Sequence, residues 1–407
     1  MIRILILTTV YPPDPASVGQ HISDLAMALA KRGHIVRVLT ADSSYDNPSI
    51  RFPRYERFGN LEIIRLRWSS FGKSSMIVRL IGQISFVFQT LIKTLFGYKP
   101  DIVLITTAPP LGVISAYIVS KLRKLKLVYW VMDINPDEAI ALGVVKKSSI
   151  LAILLDFMNK ITISNSHGII VLDAKMARRI KNKATLKREP IIIPPWPYED
   201  ALKKSNSNGM KFRAEYGLEN KFIVMYSGNH SCVHPLDTII EAAKQLEHRK
   251  DIVFLFVGGG VEKKKVEQAI KNGAQNILSL PYQPLSQLGE SLSAADVHVV
   301  VMGEAMVGIV HPCKIYGAMA VGRPILAIAP ENSHISDIIN KYKIGLRFNH
   351  GDIDGVVKGI LTFAGMDKEE RESMGRNAVR AIKEEFSQEK LTKMFIETLE
   401  EINNLKS

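Results

Sequence analysis

The chain has 407 residues, of which 46% are apolar and 23% are charged, and its formal net charge is +13. This length favours two domains, and the composition is that of a soluble globular protein. The two cysteines, Cys232 and Cys313, are too few for a disulfide framework and have no metal-ligand spacing, which favours a reducing compartment.

The positive charge is concentrated in the first half of the chain. Residues 1–200 hold 27 Lys and Arg against 15 Asp and Glu, a net charge of +12, whereas residues 201–407 carry a net charge of +1. This asymmetry indicates an anionic partner, which could be nucleic acid, an anionic membrane surface or a phosphorylated lipid. The alternative is a lysine-rich solubilising surface. Nucleic acid ranks last because the sequence has no recognition helix or aromatic stacking motif.

Strand-like apolar runs alternate with helical patterns from the start. "IRILILTT" predicts a buried first strand, and no small-residue cleavage site marks the segment as a signal peptide. The helix "HISDLAMALAKRG" and the strands "HIVRVLTA", "DIVLITT", "KLVYWVM" and "HGIIVLD" follow. This rhythm predicts a parallel sheet with helices on both faces.

Two apolar stretches of the first half need separate interpretation. Residues 102–120 are uncharged over nineteen positions, but Pro109, Pro110 and Gly112 interrupt them, which predicts a strand, a loop and a helix start. Residues 80–92 are uncharged over thirteen positions between Arg79 and Lys93, which is too short to span a bilayer. They predict a core helix or a helix that lies against lipid.

A second series of strands follows a proline-rich connection. Residues 188–211, "REPIIIPPWPYEDALKKSNSNGMK", are typical of an interdomain linker. The strands "KFIVMYSGN", "DIVFLFVGGG", "NILSLPY", "DVHVVVM" and "RPILAIA" then alternate with helices, and a charged amphipathic helical run begins at Asp367. The sequence therefore predicts two doubly wound α/β halves.

Several strand-to-helix junctions could bind a ligand, because ligands of open parallel sheets bind at the carboxyl ends of the strands. Gly19 lies in the first such loop, although an ordinary connection is nearly as good an interpretation. Gly258, Gly259 and Gly260 would let the backbone approach a phosphate or a base. They form neither a Walker loop nor a complete dinucleotide pattern, since Lys263 occupies the last glycine position.

Polar residues follow two further strands. The stretch "YSGNHSCVHPLDTI" places Gly228 at a strand end, followed by a polar group that could reach a ligand: Asn229, His230, Ser231 and His234. In the first half, "YWVMDINPDEAIALG" places Asp133, Asn135, Asp137 and Glu138 after a strand. A carboxylate there could act as a base or accept a bond from a sugar hydroxyl. For Asp137 and Glu138, helix capping and first-turn acids are an equally good interpretation.

Taken with "GIVHPCKIYGAMAVGRPILA" at residues 308–327, these motifs make the chain resemble the GT-B glycosyltransferases of family 4, especially the bacterial members that build colanic acid and O-antigen. The resemblance implies an α/β fold of two Rossmann-like doubly wound domains facing across a cleft. It implies an acceptor domain at residues 1–195, a nucleotide-sugar domain at residues 196–385, and a C-terminal helix at residues 386–407 that packs on the first domain.

The same resemblance implies roles for individual residues. Gly19 and His21 would approach the donor phosphates or the acceptor. Asp133, Glu304 and Lys314 would be catalytic, with Lys314 supplying a cation to the diphosphate beside a helix N-terminus. The donor-binding residues would be Gly228, Asn229, His234, Gly258, Gly259, Gly260, Pro312, Tyr316 and Gly317.

The chain also departs from the family pattern. Many members have two glutamates eight positions apart, where this chain has Ile309 and Gly317, and Glu304 would take over part of their contact with sugar hydroxyls. Many members also have an arginine and a lysine on the diphosphate, where this chain has Asn229 and His234. The positive charge would then come from Lys314, Arg323 or helix dipoles.

The resemblance implies a retaining glycosyltransferase that moves a hexose or an N-acetylated sugar from a nucleotide diphosphate sugar, expected to be a UDP-sugar. The expected acceptor is an undecaprenyl-diphosphate-linked glycan. No cofactor and no metal are expected. We expect the protein in the cytoplasm, peripherally attached to the inner face of the membrane through its basic first half, without a nucleic-acid partner. The alternatives are an epimerase or a phosphorylase of the same fold, and a non-catalytic nucleotide-sugar-binding subunit.

Overall fold

The computed structural model describes residues 1–14, 16–44, 47–72, 76–199 and 209–405. The chain forms two compact units. The first unit comprises Met1–Pro194, Gly308–His311 and Glu389–Ser407, and the second comprises Pro195–Val307 and Pro312–Gln388. The segment Gly308–His311, which groups with the first unit, was not anticipated from the sequence. Residues 200–208 of the expected linker, and Lys73, lie outside the described residues.

The first unit contains an eight-stranded sheet in the order β3-β4-β2-β1-β5-β6-β7-β8. All neighbouring strands are parallel except the pair β3 and β4. The strands are β1 (Arg3–Leu7), β2 (Ile35–Ala41), β3 (Tyr55–Phe58), β4 (Leu61–Leu66), β5 (Ile102–Thr106), β6 (Lys126–Trp130), β7 (Gly168–Val171) and β8 (Ile191–Ile192).

Helices connect these parallel strands, as the long crossover of a parallel pair requires. They are Ser17–Lys31, Met76–Leu95, Gly112–Arg123, Asp137–Ala141, Ile150–Asn165 and Ala174–Lys183, and the C-terminal helix Gln388–Asn404 contributes its residues from Glu389 onward.

The predictions for the two apolar stretches of the first half fare differently against the structure. Residues 102–120 form β5, a loop and the start of helix Gly112–Arg123, which confirms the prediction. The second stretch is longer than expected, because Arg79 and Lys93 lie inside helix Met76–Leu95 and do not bound it. Among the described residues, this is the one helix that could cross a membrane, judged by length and composition over Ile77–Leu95 alone. Within the unit it buries Phe86 and Thr90.

The C-terminal helix is part of the first unit's core. The ring of Phe395 packs edge-on against Trp130 with centroids 4.6 Å apart. At Gly168, an added Cβ would lie 2.3 Å from Ile402 Cδ1, so any larger residue would force the Ile402 side chain to shift. Glu400 Oε1 lies 3.1 Å from His34 Nε2. The helix therefore packs on the first unit from Glu389 onward.

The second unit contains a six-stranded parallel sheet in the order β11-β10-β9-β12-β13-β14. The strands are β9 (Phe222–Ser227), β10 (Ile252–Val257), β11 (Ile277–Leu280), β12 (Val297–Val301), β13 (Ile325–Ile328) and β14 (Gly345–Phe348). The helices are Met210–Glu215, Asp237–Gln245, Lys263–Lys271, Leu288–Ser293, Lys314–Ala320, His334–Tyr342, Ile353–Gly365 and Lys368–Ala381.

Both sheets are covered by helices, which is why most of their strands are nearly continuous apolar runs. On one face of the second sheet, Phe254, Phe256 and Val299 pack with helix residues Ile240 and Ile360 in one buried cluster. The predicted class of two doubly wound parallel-sheet α/β units is confirmed. Apart from the antiparallel edge strand β3, the strand order of each sheet reverses once, between β1 and β5 and between β9 and β12, and such switch points are where ligands bind.

Candidate functional site

Two glycine turns form one backbone surface at the carboxyl edge of the second sheet. The first turn follows β9 at Gly228 and the second follows β10 at Gly258, and both glycines have positive φ angles, 124° and 135°. A Cβ at Gly258 would lie 2.1 Å from Gly228 O, so the turns touch through their backbones. His230 N donates to Gly259 O at 2.7 Å, and Glu262 N donates to His230 O at 2.9 Å.

Lys263 holds the second turn in place. Its Nζ donates to Gly258 O at 2.8 Å and to Leu280 O at 2.9 Å. In the sequence, Lys263 is conspicuous only as the residue that breaks a dinucleotide pattern. Its position five residues after Gly258, at the start of a helix, is the signal that could have indicated this role.

Lys314 lies directly over the first turn. A Cβ at Gly228 would lie 2.9 Å from Lys314 Cε, and Lys314 Nζ is 5.4 Å from the centroid of the Tyr226 ring. Burial lowers the pKa of Lys314 to about 8. Of the residues that the structure describes, none places a carboxylate on this ammonium. The arrangement therefore offers a partly desolvated cation beside two glycine turns, which suits a phosphate.

Two histidines follow the first turn, and both are buried. Burial lowers the pKa of His230 to about 4 and that of His234 well below its ordinary value. Nδ1 of His230 donates to Gly228 O at 2.9 Å, whereas its buried Nε2 has no hydrogen-bond partner among the described residues. A buried ring nitrogen without a partner is costly unless water or a ligand satisfies it.

Tyr282 is a site residue that sequence reasoning missed. Its hydroxyl donates to Gly259 O at 3.1 Å, and the residue is 55% exposed. A Cβ at Gly259 would lie 3.1 Å from the Tyr282 ring. An exposed aromatic face therefore adjoins the glycine turn, and no motif in the sequence distinguishes this tyrosine from the other eleven.

The remaining residues that were predicted to bind the donor differ in how deeply they are buried. Glu304 is exposed in the short 3-10 helix after β12, and Asn229 is exposed beside Gly260. Pro312 is buried, Gly317 is half-buried with Leu292 nearest to it, and Tyr316 is buried with its ring 5.2 Å from that of Phe386. Helix Lys314–Ala320, which contains Tyr316 and Gly317, has only seven residues.

Arg323 does not lie with these residues, which corrects one suggestion from the sequence. Its guanidinium donates to Ser293 O at 2.6 Å and interacts with Asp296. Asp296 directly precedes β12, and Arg323 lies two residues before β13, so both lie at the amino edge of the sheet. The turn that leads into β13 places Arg323 there, at the end opposite the glycine turns.

Carboxylates are grouped after β6 in the first unit. Burial, and then Glu138, raises the pKa of Asp133 to about 7. Burial also raises the pKa of Glu138, and Arg79 opposes this. Two carboxylates that share one partly buried region hold a proton near neutral pH. Asp133 and Glu138 can therefore accept or donate a proton, with Arg79 as a nearby cation.

Two neighbours of this pair have structural roles. Asp137 pairs with Arg179 at 3.2 Å and also with Lys183, so the first-turn interpretation applies to it. Asn135 O accepts a hydrogen bond from Asn159 Nδ2 at 2.7 Å. The loop after β6 is thereby held between two helices.

Gly19 and His21 lie at the switch point of the first sheet. A Cβ at Gly19 would lie 3.1 Å from Tyr11 N, so the helix start is packed against the first loop. His21 is buried, and burial followed by His311 lowers its pKa to about 4. Thr9 N donates to Ala108 O at 2.9 Å, which joins the loops after β1 and β5.

The segment Gly308–His311 is bound to the first unit by specific contacts. His311 Nδ1 donates to Asp173 Oδ2 at 2.8 Å, and both side chains are buried. Ile134 N donates to Ile309 O at 3.0 Å. Ile309 is 1% exposed, so the position where the resemblance would lead one to expect a glutamate is an apolar core position here.

The chain matches known proteins over most of its length. Residues 210–381 match the family described as Glycosyl transferases group 1. WbjE of Pseudomonas aeruginosa, a probable glycosyltransferase, is 26% identical over 275 residues, which cover 67% of this chain and 68% of WbjE. WcaI of Escherichia coli strain K12, a putative colanic acid biosynthesis glycosyl transferase, is 23% identical over 373 residues, which cover 88% of this chain and 91% of WcaI.

The fold has solved counterparts. Anabaena Alr3699/HepE, whose structure was determined in complex with UDP and glucose, superimposes with a TM-score of 0.73 at 16% identity, and the match covers 98% of this chain and 100% of that chain. With its two parallel-sheet units and its match to group 1 glycosyl transferases at residues 210–381, the chain is a glycosyltransferase of the GT-B fold.

Proposed function

We propose that the protein is a retaining glycosyltransferase of family 4. It takes a hexose or an N-acetylated sugar from a nucleotide diphosphate sugar, a UDP-sugar, and transfers it to a lipid-linked glycan in surface-polysaccharide assembly. The observation that carries the donor half of this proposal is the position of Lys314, whose ammonium lies over the glycine turn at Gly228 without a carboxylate partner in the described part of the chain.

The donor diphosphate fits the second unit because its negative charge is complementary to the cation beside the glycine turns. Lys314 provides a cation, and Gly259, whose nearest neighbour is the Tyr282 ring, lets the diphosphate approach the backbone. Tyr282 provides an aromatic face beside Gly259 on which a uracil ring would stack. The UDP bound by Alr3699/HepE supports this choice of nucleotide. Glu304, exposed after β12, would accept hydrogen bonds from hydroxyls of the donor sugar.

Transfer requires that the diphosphate leave with its developing negative charge stabilised. The acceptor hydroxyl oxygen bonds to the anomeric carbon of the sugar, the bond from that carbon to the phosphate oxygen breaks, and the nucleoside diphosphate departs. The fixed ammonium of Lys314 stabilises this leaving group in a partly desolvated setting. We propose that the reaction needs no metal ion and no cofactor, because Lys314 supplies the charge.

The acceptor hydroxyl binds in the first unit, at Asp133. A carboxyl group whose pKa is about 7 is partly ionised at neutral pH and can take up the hydroxyl proton. Arg79, near Glu138, would attract the phosphate groups of an undecaprenyl-diphosphate-linked acceptor. WcaI, which is named for colanic acid biosynthesis, supports a surface glycan as the product.

We place the protein in the cytoplasm, bound peripherally to the inner face of the membrane through helix Met76–Leu95. The apolar face of this helix is exposed at Ile77, Ile81, Ile84 and Phe88 by 52–70%. The net charge of +12 on residues 1–200 would add attraction to anionic lipids.

A donor screen followed by an acceptor assay tests this function. The purified protein is incubated with UDP-, GDP- and TDP-sugars, and thermal shift and slow hydrolysis are measured. Membrane extracts containing undecaprenyl-diphosphate-linked glycans are then added with the best radiolabelled donor. We expect a UDP-sugar to stabilise the protein and its label to pass to lipid, with the anomeric configuration kept. Stabilisation by GDP- or TDP-sugars alone would overturn the choice of UDP.

One observation favours a second function. The positions of the family's glutamate pair are Ile309, which is buried, and Gly317. A non-catalytic nucleotide-sugar-binding subunit needs no such pair. Tight UDP-sugar binding without hydrolysis or transfer, with every acceptor fraction, would favour that subunit. Conversion of the nucleotide sugar to an epimer without any acceptor would indicate an epimerase.

A further inference from the structure

A second helix of the first unit also exposes an apolar face. In helix Ile150–Asn165, the exposed fractions are 86% for Ile150, 58% for Ile153, 49% for Leu154 and 58% for Phe157. Spacings of three, four and seven residues place these side chains on one face of the helix. A surface helix in water normally carries polar residues on such a face.

This helix lies in the same layer as helix Met76–Leu95. Both pack against helix Gly112–Arg123, which lies between them. Leu111 N donates to Gln83 Oε1 at 3.2 Å on one side, and Thr162 Oγ1 donates to Val113 O at 3.4 Å on the other. The two apolar faces therefore belong to one side of the first unit.

Both helices project past the carboxyl edge of the sheet. Each leads into the amino end of the next parallel strand, so each runs antiparallel to the strands. Helix Ile150–Asn165 is about 24 Å long, whereas the five residues of β6 span about 16 Å. The bond from Asn159 to Asn135 O fixes the middle of the helix near the carboxyl end of β6. Residues 150–157 thus extend beyond the strands, on the side of Asp133.

Helix Met76–Leu95 has the same geometry, because its twenty residues span about 30 Å beside the five-residue strand β5. Trp68, which follows the carboxyl end of β4, is 63% exposed at the same edge. Tryptophan is enriched at membrane–water interfaces. The exposed apolar side chains of three separate segments therefore lie at one edge of the unit.

The charges at this edge match an anionic surface. Lys146 and Lys147 are exposed just before the second helix, and Arg79 is exposed in the first. Between Glu62 and Asp133 the sequence has one acidic residue, Asp101. In the second helix, Asp156 is neutralised by Lys160 at 2.8 Å. Apolar side chains flanked by basic ones bind the interface of anionic bilayers.

We propose that helix Ile150–Asn165 is a second lipid contact, so that its N-terminal half, the N-terminal half of helix Met76–Leu95 and Trp68 together dock the first unit on an anionic bilayer. This inference rests on the proposed peripheral attachment and adds its second contact and its orientation. The carboxyl edge of the sheet, with Asp133, then faces the lipid head groups.

Tryptophan fluorescence in the full chain tests the second contact. Trp68→Phe removes the exposed tryptophan, while Trp130 and Trp196 remain as a constant buried background, each no more than 1% exposed. Phe157→Trp in this background adds the probe. Phe58→Trp is the matched control, because Phe58 is 51% exposed but pairs with Leu61 at the amino end of β4. Vesicles contain phosphatidylglycerol and phosphatidylcholine, or phosphatidylcholine alone, with brominated acyl chains as quenchers.

We expect anionic vesicles to shift the Phe157→Trp emission to the blue and brominated lipid to quench it, with neither change for Phe58→Trp. Ile153→Ser combined with Phe157→Ser should lower vesicle partitioning about tenfold. Co-sedimentation without quenching at position 157 would disprove the second contact and leave attachment through the first helix intact. Absence of co-sedimentation would overturn both. A blue shift that depends on protein concentration without lipid would assign the surface to self-association and overturn the lipid contact.

Discussion

Lys314 and Tyr226 meet above the glycine turn of the second unit, with the ammonium 5.4 Å from the centre of the ring. The ring comes from β9 and the lysine from the start of helix Lys314–Ala320, so two elements that flank the strand-order switch fix one cation. A cation over an aromatic face keeps its charge without being neutralised by a carboxylate. The charge therefore remains available to a phosphate.

Replacing Lys314 by alanine should weaken turnover of the nucleotide sugar by about tenfold to a hundredfold, because a charge-assisted bond to a phosphate contributes roughly 1.5–3 kcal/mol. Steady-state kinetics with the donor found in the screen measure this. Lys314→Arg, which keeps the charge, is the control and should retain more activity. Wild-type turnover in a folded Lys314→Ala variant would show that the diphosphate binds elsewhere.

The same lysine predicts a pH limit on donor binding. Burial lowers the pKa of Lys314 to about 8, so the free enzyme loses this charge as the pH rises through 8. The specificity constant kcat/KM for the donor should therefore fall above pH 8. In Lys314→Arg the fall should disappear, because arginine stays protonated. An identical alkaline limb in the two proteins would assign it to another group.

Substitutions at two glycines of the second turn should have different effects, one on UDP binding and the other on the stability of the fold. A valine at Gly259 meets mainly the exposed Tyr282 ring, which can move, so Gly259→Val should stay folded while UDP affinity in calorimetry falls about tenfold or more. Gly258→Ala should instead lower the melting temperature, because its Cβ would lie 2.1 Å from a carbonyl oxygen. Unchanged UDP affinity in Gly259→Val would leave this glycine with a packing role only.

Asp133→Asn should cut transfer to the acceptor by about a hundredfold and leave UDP affinity within about twofold, because general acid–base groups typically contribute 10²–10⁴-fold. The pKa of Asp133 is raised in the folded state, so ionising this carboxylate destabilises the fold increasingly as the pH rises from about 4 to about 7. The amide variant should therefore be at least as stable as the wild type above pH 7. Equal losses of transfer and UDP binding would mean that Asp133 maintains the fold or binds the donor.

Membrane attachment through the first helix should depend on charge. Co-sedimentation of the full chain should require anionic lipid, weaken as salt rises, and fall when Arg79 and Lys93 are both changed to glutamate. Lys271→Glu, at an exposed position of the second unit, is the single-charge control, to be compared with Arg79→Glu alone. Equal partitioning to neutral and anionic vesicles, or none to either, would contradict attachment by charge.

The apolar runs predicted most strands of both sheets, because buried parallel strands need little else to be recognised. The missed strands are β3, β4, β8 and β14, and of these all but β4 lie at the edge of a sheet. In β3, "YERF", two of four residues are charged, and in β14, "GLRF", every residue is half-buried. Such edge strands are defined by their partner strand rather than by their own pattern, so a local reading does not find them.

The site was predictable where backbone conformation requires glycine, as at Gly228 and Gly258. It was not predictable where long-range packing brings side chains together. The bonds of Lys263 to the glycine turn and the position of Tyr282 depend on how β11 pairs with β10, which no local motif encodes. Arg323 shows the converse, since its neighbours in sequence suggested a site role and the strand direction places it at the opposite edge.

The first unit is built from three separate segments of the chain, which restricts how fragments and chimeras of the protein can be designed. A fragment ending at residue 194 would lack the partner of Asp173 in His311 and the ring of Phe395 against Trp130. Expressed alone, it would expose a buried carboxylate and a buried indole, and it should be insoluble. A chimera meant to exchange the whole first unit with that of a related glycosyltransferase must therefore transplant three pieces together: the first 194 residues, the four from Gly308 to His311, and the C-terminal helix.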